Sequence, residues 1–143
     1  VVVNDRADIA AIAGAQGLHV GQDDLSPADA RKIVGLDAWV GLSSHSEAQW
    51  TAALTAPISY LAIGPVYGTG TKDTGYSAVG LETVSRVAAA AGAAAMPVVA
   101  IGGITLEDAP AVIAAGASSV AVISDLLAGA PEARARLFLR ALA

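Results

Sequence analysis

Hydrophobic residues in this chain gather in short runs that recur at intervals of roughly 15 to 40 residues. Short apolar runs bounded by glycine, proline and small polar residues are typical of buried β-strands. The pattern predicts strands at Val1–Val3, Gly17–Val20, Ala38–Leu42, Ile58–Ile63, Pro97–Ile101 and Ser119–Ile123.

Helical patterns lie between these runs, and local signals mark their ends. Ser26 and Pro27 predict an N-cap followed by proline in the first turn. Ser46 with Gln49 predicts a capping box, and Thr105 is a further N-cap candidate. The predicted helices are Ser26 to about Val34, Ser46 to about Leu54, Leu81–Ala91, Thr105–Ala115 and Pro131–Leu142.

The alternation of strands and helices predicts an α/β fold with a parallel sheet and right-handed crossovers. Chain length alone favours an open, doubly wound sheet, because a complete (β/α)₈ barrel typically needs more than about 200 residues. However, all six predicted strands run into polar or glycine-rich residues, whereas an open sheet gathers its chemistry at one switch point. We therefore predict a single domain over 1–143 that is an incomplete TIM (β/α)₈-type barrel, with about six of eight βα units.

Composition supports this class and excludes others. Hydrophobic residues make up 55% of the chain and aromatic residues only 4%, which suits a sheet covered by alanine-rich helices. The net charge of −5 argues against a nucleic-acid surface, and the absence of cysteine excludes disulfides and thiol catalysis. No apolar run reaches the roughly 18 residues of a membrane helix, and no signal peptide is visible, so we expect a cytoplasmic protein without a membrane partner.

The apolar run at Val1–Val3 begins as if a strand were already under way. We therefore expect the sequence to be part of a longer protein.

The segment from Gly64 to Lys72 has the chemistry of a phosphate-binding loop at the end of a strand. Its glycines allow close approach of backbone N–H groups, while Thr69 and Thr71 supply hydroxyls and Lys72 a positive charge. It lacks P-loop spacing, and the alternative is a surface loop with an incidental lysine. A second phosphate-binding feature is predicted where Gly102-Gly103 and Ser124 follow the last two strands.

Carboxylates follow the first two predicted strands, at Asp5, Asp23 and Asp24. Since the ends of neighbouring strands meet, these carboxylates could share a Mg²⁺, which prefers oxygen ligands and retains sites for substrate phosphates. The alternative is that Asp5, with Asn4, caps a helix and the other two lie in a solvated turn. His19 and His45 are more simply explained as structural side chains.

Taken together, these segments resemble the thiamine-phosphate synthase family of (β/α)₈ barrel enzymes, in order and in spacing. The matching segments are 3–6 (VNDR), 17–25 (GLHVGQDDL), 40–45 (VGLSSH), 63–72 (IGPVYGTGTK), 99–105 (VAIGGIT) and 120–124 (VAVIS).

The resemblance implies a Mg²⁺-dependent transferase of thiamine biosynthesis that couples a hydroxymethylpyrimidine pyrophosphate to a hydroxyethylthiazole phosphate and releases pyrophosphate. It implies that Asp5 and Asp24 hold Mg²⁺, and that Ser43 and Lys72 act in catalysis by binding the pyrophosphate. The implied substrate-binding set is Asn4, Ser43, Thr69, Thr71, Lys72, Gly103, Ile123 and Ser124. Small phosphorylated molecules are thus the expected partners, and formation of a homo-oligomer stays open.

Two departures from the family pattern bear on activity. Gly68 stands where many members carry proline. The first two βα units of the family are missing, together with a Gln–Arg–Lys cluster that grips the pyrimidine pyrophosphate. We therefore expect the 143-residue chain alone to be inactive or weakly active.

Three alternatives remain on sequence grounds. The first is a related barrel that isomerises the thiazole phosphate, or a barrel that only binds thiamine phosphates. The second is a domain-swapped or dimeric assembly in which a partner supplies missing strands. The third is an open-sheet binding module of the flavodoxin type.

Overall fold

The computed structural model of the protein describes residues 1–70 and 75–143, in which strands and helices alternate. The strands are β1 (Val2–Asn4), β2 (Gly17–Val20), β3 (Trp39–Ser44), β4 (Tyr60–Ile63), β5 (Val98–Ile101) and β6 (Ser119–Ala121). The helices are α1 (Ala7–Ile12), α2 (Pro27–Val34), α3 (Glu47–Ala53), α4 (Gly80–Gly92), α5 (Ala109–Ala114) and α6 (Pro131–Ala141). This alternation confirms the α/β class.

The chain divides into two compact units, Val1–Ala62 and Ile63–Ala143. In the first unit β1, β2 and β3 pair in parallel, with Asn4 opposite His19 and His19 opposite Gly41. In the second unit β5 and β6 pair in parallel. Within each unit the hydrogen-bonded strands follow chain order. The prediction of a single domain stays a prediction.

Each unit buries aliphatic side chains from its strands and helices. In the first unit the side chains of Leu18 and Val20 in β2 and Val40 in β3 are fully buried. In the second, Val84 and Val87 of α4 are fully buried. Strands buried in this way match the aliphatic composition, because a parallel sheet covered by helices excludes water from both faces.

Two of the predicted helix starts are confirmed by their capping bonds. The Ser26 hydroxyl accepts a hydrogen bond from the Asp29 N–H at the start of α2, and the Ser46 hydroxyl accepts one from the Gln49 N–H at the start of α3. These bonds satisfy N–H groups that the first helical turn leaves without a partner.

The start predicted for α5 is wrong. This helix begins at Ala109, not at Thr105, and Asp108 occupies the N-cap position. Thr105 and Asp108 instead close a preceding turn, in which the Thr105 hydroxyl donates to the Asp108 carboxylate over 2.7 Å. Thr105 thus makes a side-chain hydrogen bond of the kind found at helix starts, but in a turn that precedes the helix.

The observed ends of β3 and β6 differ from the predicted ends, and candidate site residues lie at both. β3 extends to Ser44, so that Ser43 belongs to the strand rather than to a loop. β6 ends at Ala121, so that Ile123 and Ser124 follow it in a loop. Among the described residues, no helix combines the length and apolar character that crossing a membrane requires.

Candidate active site

Asp5 directly follows β1 in a turn with an unusual backbone conformation. Its φ is 62°, and the Arg6 N–H donates to the Asn4 carbonyl over 2.7 Å, which closes a three-residue turn centred on Asp5. The Asp5 N–H donates to the His19 carbonyl over 2.8 Å and so ties the turn to β2. A positive φ costs energy for a residue with a Cβ, although aspartate tolerates it better than most. The N-cap position of α1 is occupied by Arg6, not by Asp5.

Asp24 lies in the loop that follows β2, the strand that pairs with β1. Its Oδ2 accepts a hydrogen bond of 2.7 Å from the Gly21 N–H, which folds the loop back toward the end of the strand. Because β1 and β2 run in parallel, the residues that follow them emerge at the same edge of the sheet.

The two carboxylates fit one mode of Mg²⁺ binding and not another. Within residues 1–70 and 75–143 there is no group of three or more histidine, aspartate or glutamate side chains that could hold a metal ion. Asp5 and Asp24 therefore suit a Mg²⁺ held by one or two carboxylates, with waters and substrate phosphate oxygens as the other ligands. An all-protein cage does not fit these residues.

Ser43 is fixed on both its side chain and its backbone. Its Oγ lies 2.8 Å from the His19 Nε2, and its carbonyl accepts a hydrogen bond of 2.6 Å from the Gln22 side chain. His19 reaches Ser43 from the neighbouring strand β2, and Gln22 reaches it from the loop that follows β2. The Ser43 hydroxyl is thus held in place within the first unit.

His19 is a functional candidate that sequence reasoning missed. Its Nδ1 lies 2.9 Å from the Tyr60 hydroxyl, and the two rings stack with their centroids 5.6 Å apart. Burial raises the pKa of the Tyr60 phenol. The available signal was the alternation of β2: His19 interrupts the buried residues Leu18 and Val20 and so points to the opposite face of the strand.

In the second unit, the segment after β4 is anchored to the end of β5. The Val66 N–H donates to the Ile101 carbonyl over 2.9 Å, and the Tyr67 N–H donates to the Gly102 carbonyl over 3.0 Å. The Val79 N–H donates to the Pro65 carbonyl over 2.8 Å, which closes the base of the loop before α4.

Gly103 packs against this same segment. It has a φ of 65°, and a Cβ on it would lie 2.6 Å from the Gly68 carbonyl oxygen. Only glycine fits this position, because both the backbone conformation and the space exclude a side chain. The two phosphate-binding features predicted separately, at Gly64–Lys72 and at Gly102-Gly103, are thus adjacent in the part that the structure describes, which includes the half-buried Thr69.

Asp125 joins the loop after β6 to the loop after β5. Its Oδ2 accepts hydrogen bonds from the Leu106 N–H over 2.9 Å and from the Arg134 Nη2 over 2.9 Å. Arg134 lies on α6, so one carboxylate ties both loops to this helix. The neighbouring residues Ile123 and Ser124 are exposed.

The remaining predicted site residues divide into two groups. Asn4 is the exposed last residue of β1, directly before Asp5. Thr71 and Lys72 lie outside the described residues, so their predicted roles stay predictions.

Comparison with known proteins places the chain in a family. A family model described as thiamine monophosphate synthase matches residues 1–126. The chain belongs to this family. The match includes both Asp5 and Asp24 and ends just after Ser124, so it covers the sequence-predicted site residues.

Individual relatives agree with the family model. The chain is 49% identical to the thiamine-phosphate synthase of Koribacter versatilis, over 99% of this chain and 65% of that protein. It is 46% identical to the thiamine-phosphate synthase of Azorhizobium caulinodans, over 92% of this chain and 60% of that protein. The chain therefore spans less than two thirds of the length of these curated relatives.

A solved structure supports the fold. The thiamine phosphate pyrophosphorylase from Pyrococcus furiosus matches 99% of this chain and 68% of its own, with a TM-score of 0.84 and 27% identity. Together with the six described strands in chain order, this match confirms the predicted incomplete TIM-type fold.

Proposed function

We propose that this chain carries the substrate-binding residues of a thiamine-phosphate synthase, a transferase that joins hydroxymethylpyrimidine pyrophosphate to hydroxyethylthiazole phosphate and releases pyrophosphate. The observation that carries the proposal is the placement of Asp5 and Asp24 after two neighbouring parallel strands in a chain of this family. Two carboxylates suit the Mg²⁺ complex of a pyrophosphate. The relatives that are 49% and 46% identical to this chain are named thiamine-phosphate synthase.

Asp5 and Asp24 would hold the Mg²⁺, and Asn4 would contact the pyrimidine. When bound, Mg²⁺ neutralises charge on the leaving pyrophosphate and so lowers the barrier to its departure. The positive φ at Asp5 supports a functional role, because backbone strain of this kind concentrates at binding sites.

Ser43 would donate a hydrogen bond to the pyrophosphate, and Lys72 would contribute a positive charge. The fixed position of Ser43, bonded to His19 and Gln22, favours this role, since donors held in place before the reaction need no reorganisation during it. The role of Lys72 rests on the family resemblance alone.

Thr69, Thr71, Gly103, Ile123 and Ser124 would bind the thiazole phosphate. The close approach of Gly103 to Gly68 supports this assignment, because it brings a half-buried glycine turn next to the threonine-bearing segment. Asp125 supports it too, by fixing the loop that carries Ile123 and Ser124.

The proposed chemistry is dissociative. The bond between the pyrimidine methylene carbon and the pyrophosphate oxygen breaks first, and the thiazole nitrogen then captures the pyrimidine-methyl cation. Such a reaction needs stabilisation of the departing negative charge more than proton transfer, and carboxylate-bound metal with hydroxyl and lysine donors supplies it.

Pyrophosphate release from the two substrates, measured with Mg²⁺ and with EDTA, tests the proposal. We expect weak turnover that depends on Mg²⁺ and falls in Asp24→Asn, but not in the control Asp37→Asn, which changes an exposed carboxylate. Binding of Mg²⁺-pyrophosphate to the chain, measured by calorimetry, is the second readout. If neither release nor Mg²⁺-dependent binding is detected, the proposal is wrong for this chain.

An isomerase of the thiazole phosphate, or a barrel that only binds thiamine phosphates, remains the second candidate. Neither would release pyrophosphate, so the same assay separates them from a synthase. Location in the cytoplasm also stays a prediction.

A further inference from the structure

Three side chains from three strands of the first unit form a continuous hydrogen-bonded chain. The Tyr60 hydroxyl of β4 lies 2.9 Å from the Nδ1 of His19, and the His19 Nε2 lies 2.8 Å from the Ser43 Oγ. Both ring nitrogens of His19 are therefore bonded to a hydroxyl group.

A glycine in the middle strand makes the contact between Tyr60 and His19 possible. Gly41 lies opposite His19 in the register of β2 and β3. A Cβ on Gly41 would stand 2.1 Å from the Tyr60 Cζ and 2.5 Å from the His19 Nδ1. The Tyr60 ring therefore occupies the space where the side chain of residue 41 would lie.

The direction of the hydrogen bonds determines what Ser43 can do. A neutral imidazole has one N–H donor and one acceptor nitrogen. If Tyr60 donates to Nδ1, then Nε2 carries the proton and donates to the Ser43 Oγ, which leaves the serine proton free to bind an anion. If the directions reverse, the serine proton is used on His19 and Ser43 offers an anion only its lone pairs.

The acidity of the two hydroxyl groups favours the first direction. A phenol is far more acidic than an aliphatic hydroxyl, so Tyr60 is the better hydrogen-bond donor to His19 and Ser43 the better acceptor from it. The Gln22 amide donates to the Ser43 carbonyl and so fixes the backbone from which the Ser43 hydroxyl projects.

We propose that Tyr60, acting through His19, orients the Ser43 hydroxyl as a hydrogen-bond donor to the bound anion. Tyr60 and His19 are then positioning residues, neither of which contacts the substrate in this role. This inference rests on the proposed function in one respect, namely that Ser43 binds pyrophosphate.

A double-mutant cycle on the whole 143-residue chain tests the inference, with inorganic pyrophosphate and Mg²⁺ as the probe in calorimetry. Tyr60→Phe removes the hydroxyl and keeps the ring, and we expect it to weaken binding about threefold to tenfold. In a Ser43→Ala background the same change should have no further effect, because no serine proton remains to be oriented. Equal weakening in both backgrounds, or none in either, overturns the proposal.

The tautomer of His19 supplies a readout that does not depend on pyrophosphate binding. Nitrogen-15 NMR of the ligand-free chain at about pH 8, where histidine side chains are generally neutral, should find the proton on Nε2. In Tyr60→Phe the proton should shift toward Nδ1. A proton on Nδ1 in the unchanged chain contradicts the proposal, even if the chain fails to bind Mg²⁺-pyrophosphate and the proposed function is wrong.

Discussion

Gly103 lies so close to Gly68 that a Cβ on it would stand 2.6 Å from the Gly68 carbonyl oxygen. The φ of 65° at Gly103 adds a second restriction, because an L side chain is strained in this region. Glycine at this position thus lets the two loops that are proposed to bind the thiazole phosphate come together, while hydrogen bonds from the Val66 and Tyr67 N–H groups join them.

Gly103→Ala should therefore destabilise the chain by about 2 to 5 kcal/mol, the sum of a left-handed backbone penalty and an overpacked contact. Urea unfolding measures the change. Gly70→Ala is the matched control, since a Cβ there meets nothing within 4 Å, and it should alter the free energy of unfolding by less than about 0.5 kcal/mol. Similar effects of the two substitutions would contradict the contact.

Asp125→Ala should destabilise the second unit by about 1 to 3 kcal/mol, because it leaves the half-buried Arg134 guanidinium and the Leu106 N–H without their carboxylate. The Arg136–Glu132 pair on the same helix provides the comparison, since both of its side chains are largely exposed. Glu132→Ala should change the free energy of unfolding by less than about 0.5 kcal/mol. If the two substitutions lower the free energy of unfolding equally, the bonds of Asp125 stabilise the chain no more than an exposed ion pair does.

Local signals predicted much of the fold from the sequence. The capping serines Ser26 and Ser46 act within three residues of themselves, so their signals do not depend on the rest of the structure. The bounds of β2 were predicted in full because a short, largely apolar segment begins at Gly17 and ends directly before Gly21. The polar and glycine-rich residues after all six predicted strands then favoured an incomplete barrel over an open sheet.

Contacts between distant residues could not be predicted in the same way. His19 meets Tyr60 across 41 positions and Ser43 across 24, and both contacts depend on the register that places His19 opposite Gly41. A shift of that register by one residue would turn these side chains to the other face of the sheet. The left-handed turn at Asp5 could not be predicted for a different reason, because Asn4 and Asp5 are also residues that suit a helix cap.

Stability should fall at high pH through Tyr60. Burial raises its pKa in the folded chain above the value of about 10 found in unfolded chains. The stabilisation is complete below that value and is lost as the pH rises from it through the folded pKa, because the unfolded chain loses its proton first. Urea unfolding between about pH 9 and pH 11 should therefore show a weaker decline in Tyr60→Phe than in the unchanged chain. The difference isolates Tyr60, since burial also raises the pKa of Tyr67 and that residue is present in both proteins. Parallel declines would contradict the burial of the Tyr60 hydroxyl.

Asp5 allows the metal role and the backbone role to be separated by three substitutions. Asp5→Asn keeps a side chain that tolerates a positive φ, so it should change stability by less than about 1 kcal/mol. It should nevertheless weaken Mg²⁺-dependent pyrophosphate binding by more than about tenfold, because replacing even a residue that only supports a metal ligand typically lowers metal affinity by that factor. Asp5→Ala should lose the same binding and also about 1 kcal/mol of stability, whereas Asp5→Gly should lose binding without the backbone penalty.

Calorimetry with Mg²⁺ and pyrophosphate, together with urea unfolding, measures both effects, and Asp37→Asn is the control for loss of one negative charge. If Asp5→Asn binds as tightly as Asp37→Asn does, Asp5 is not a ligand of the metal.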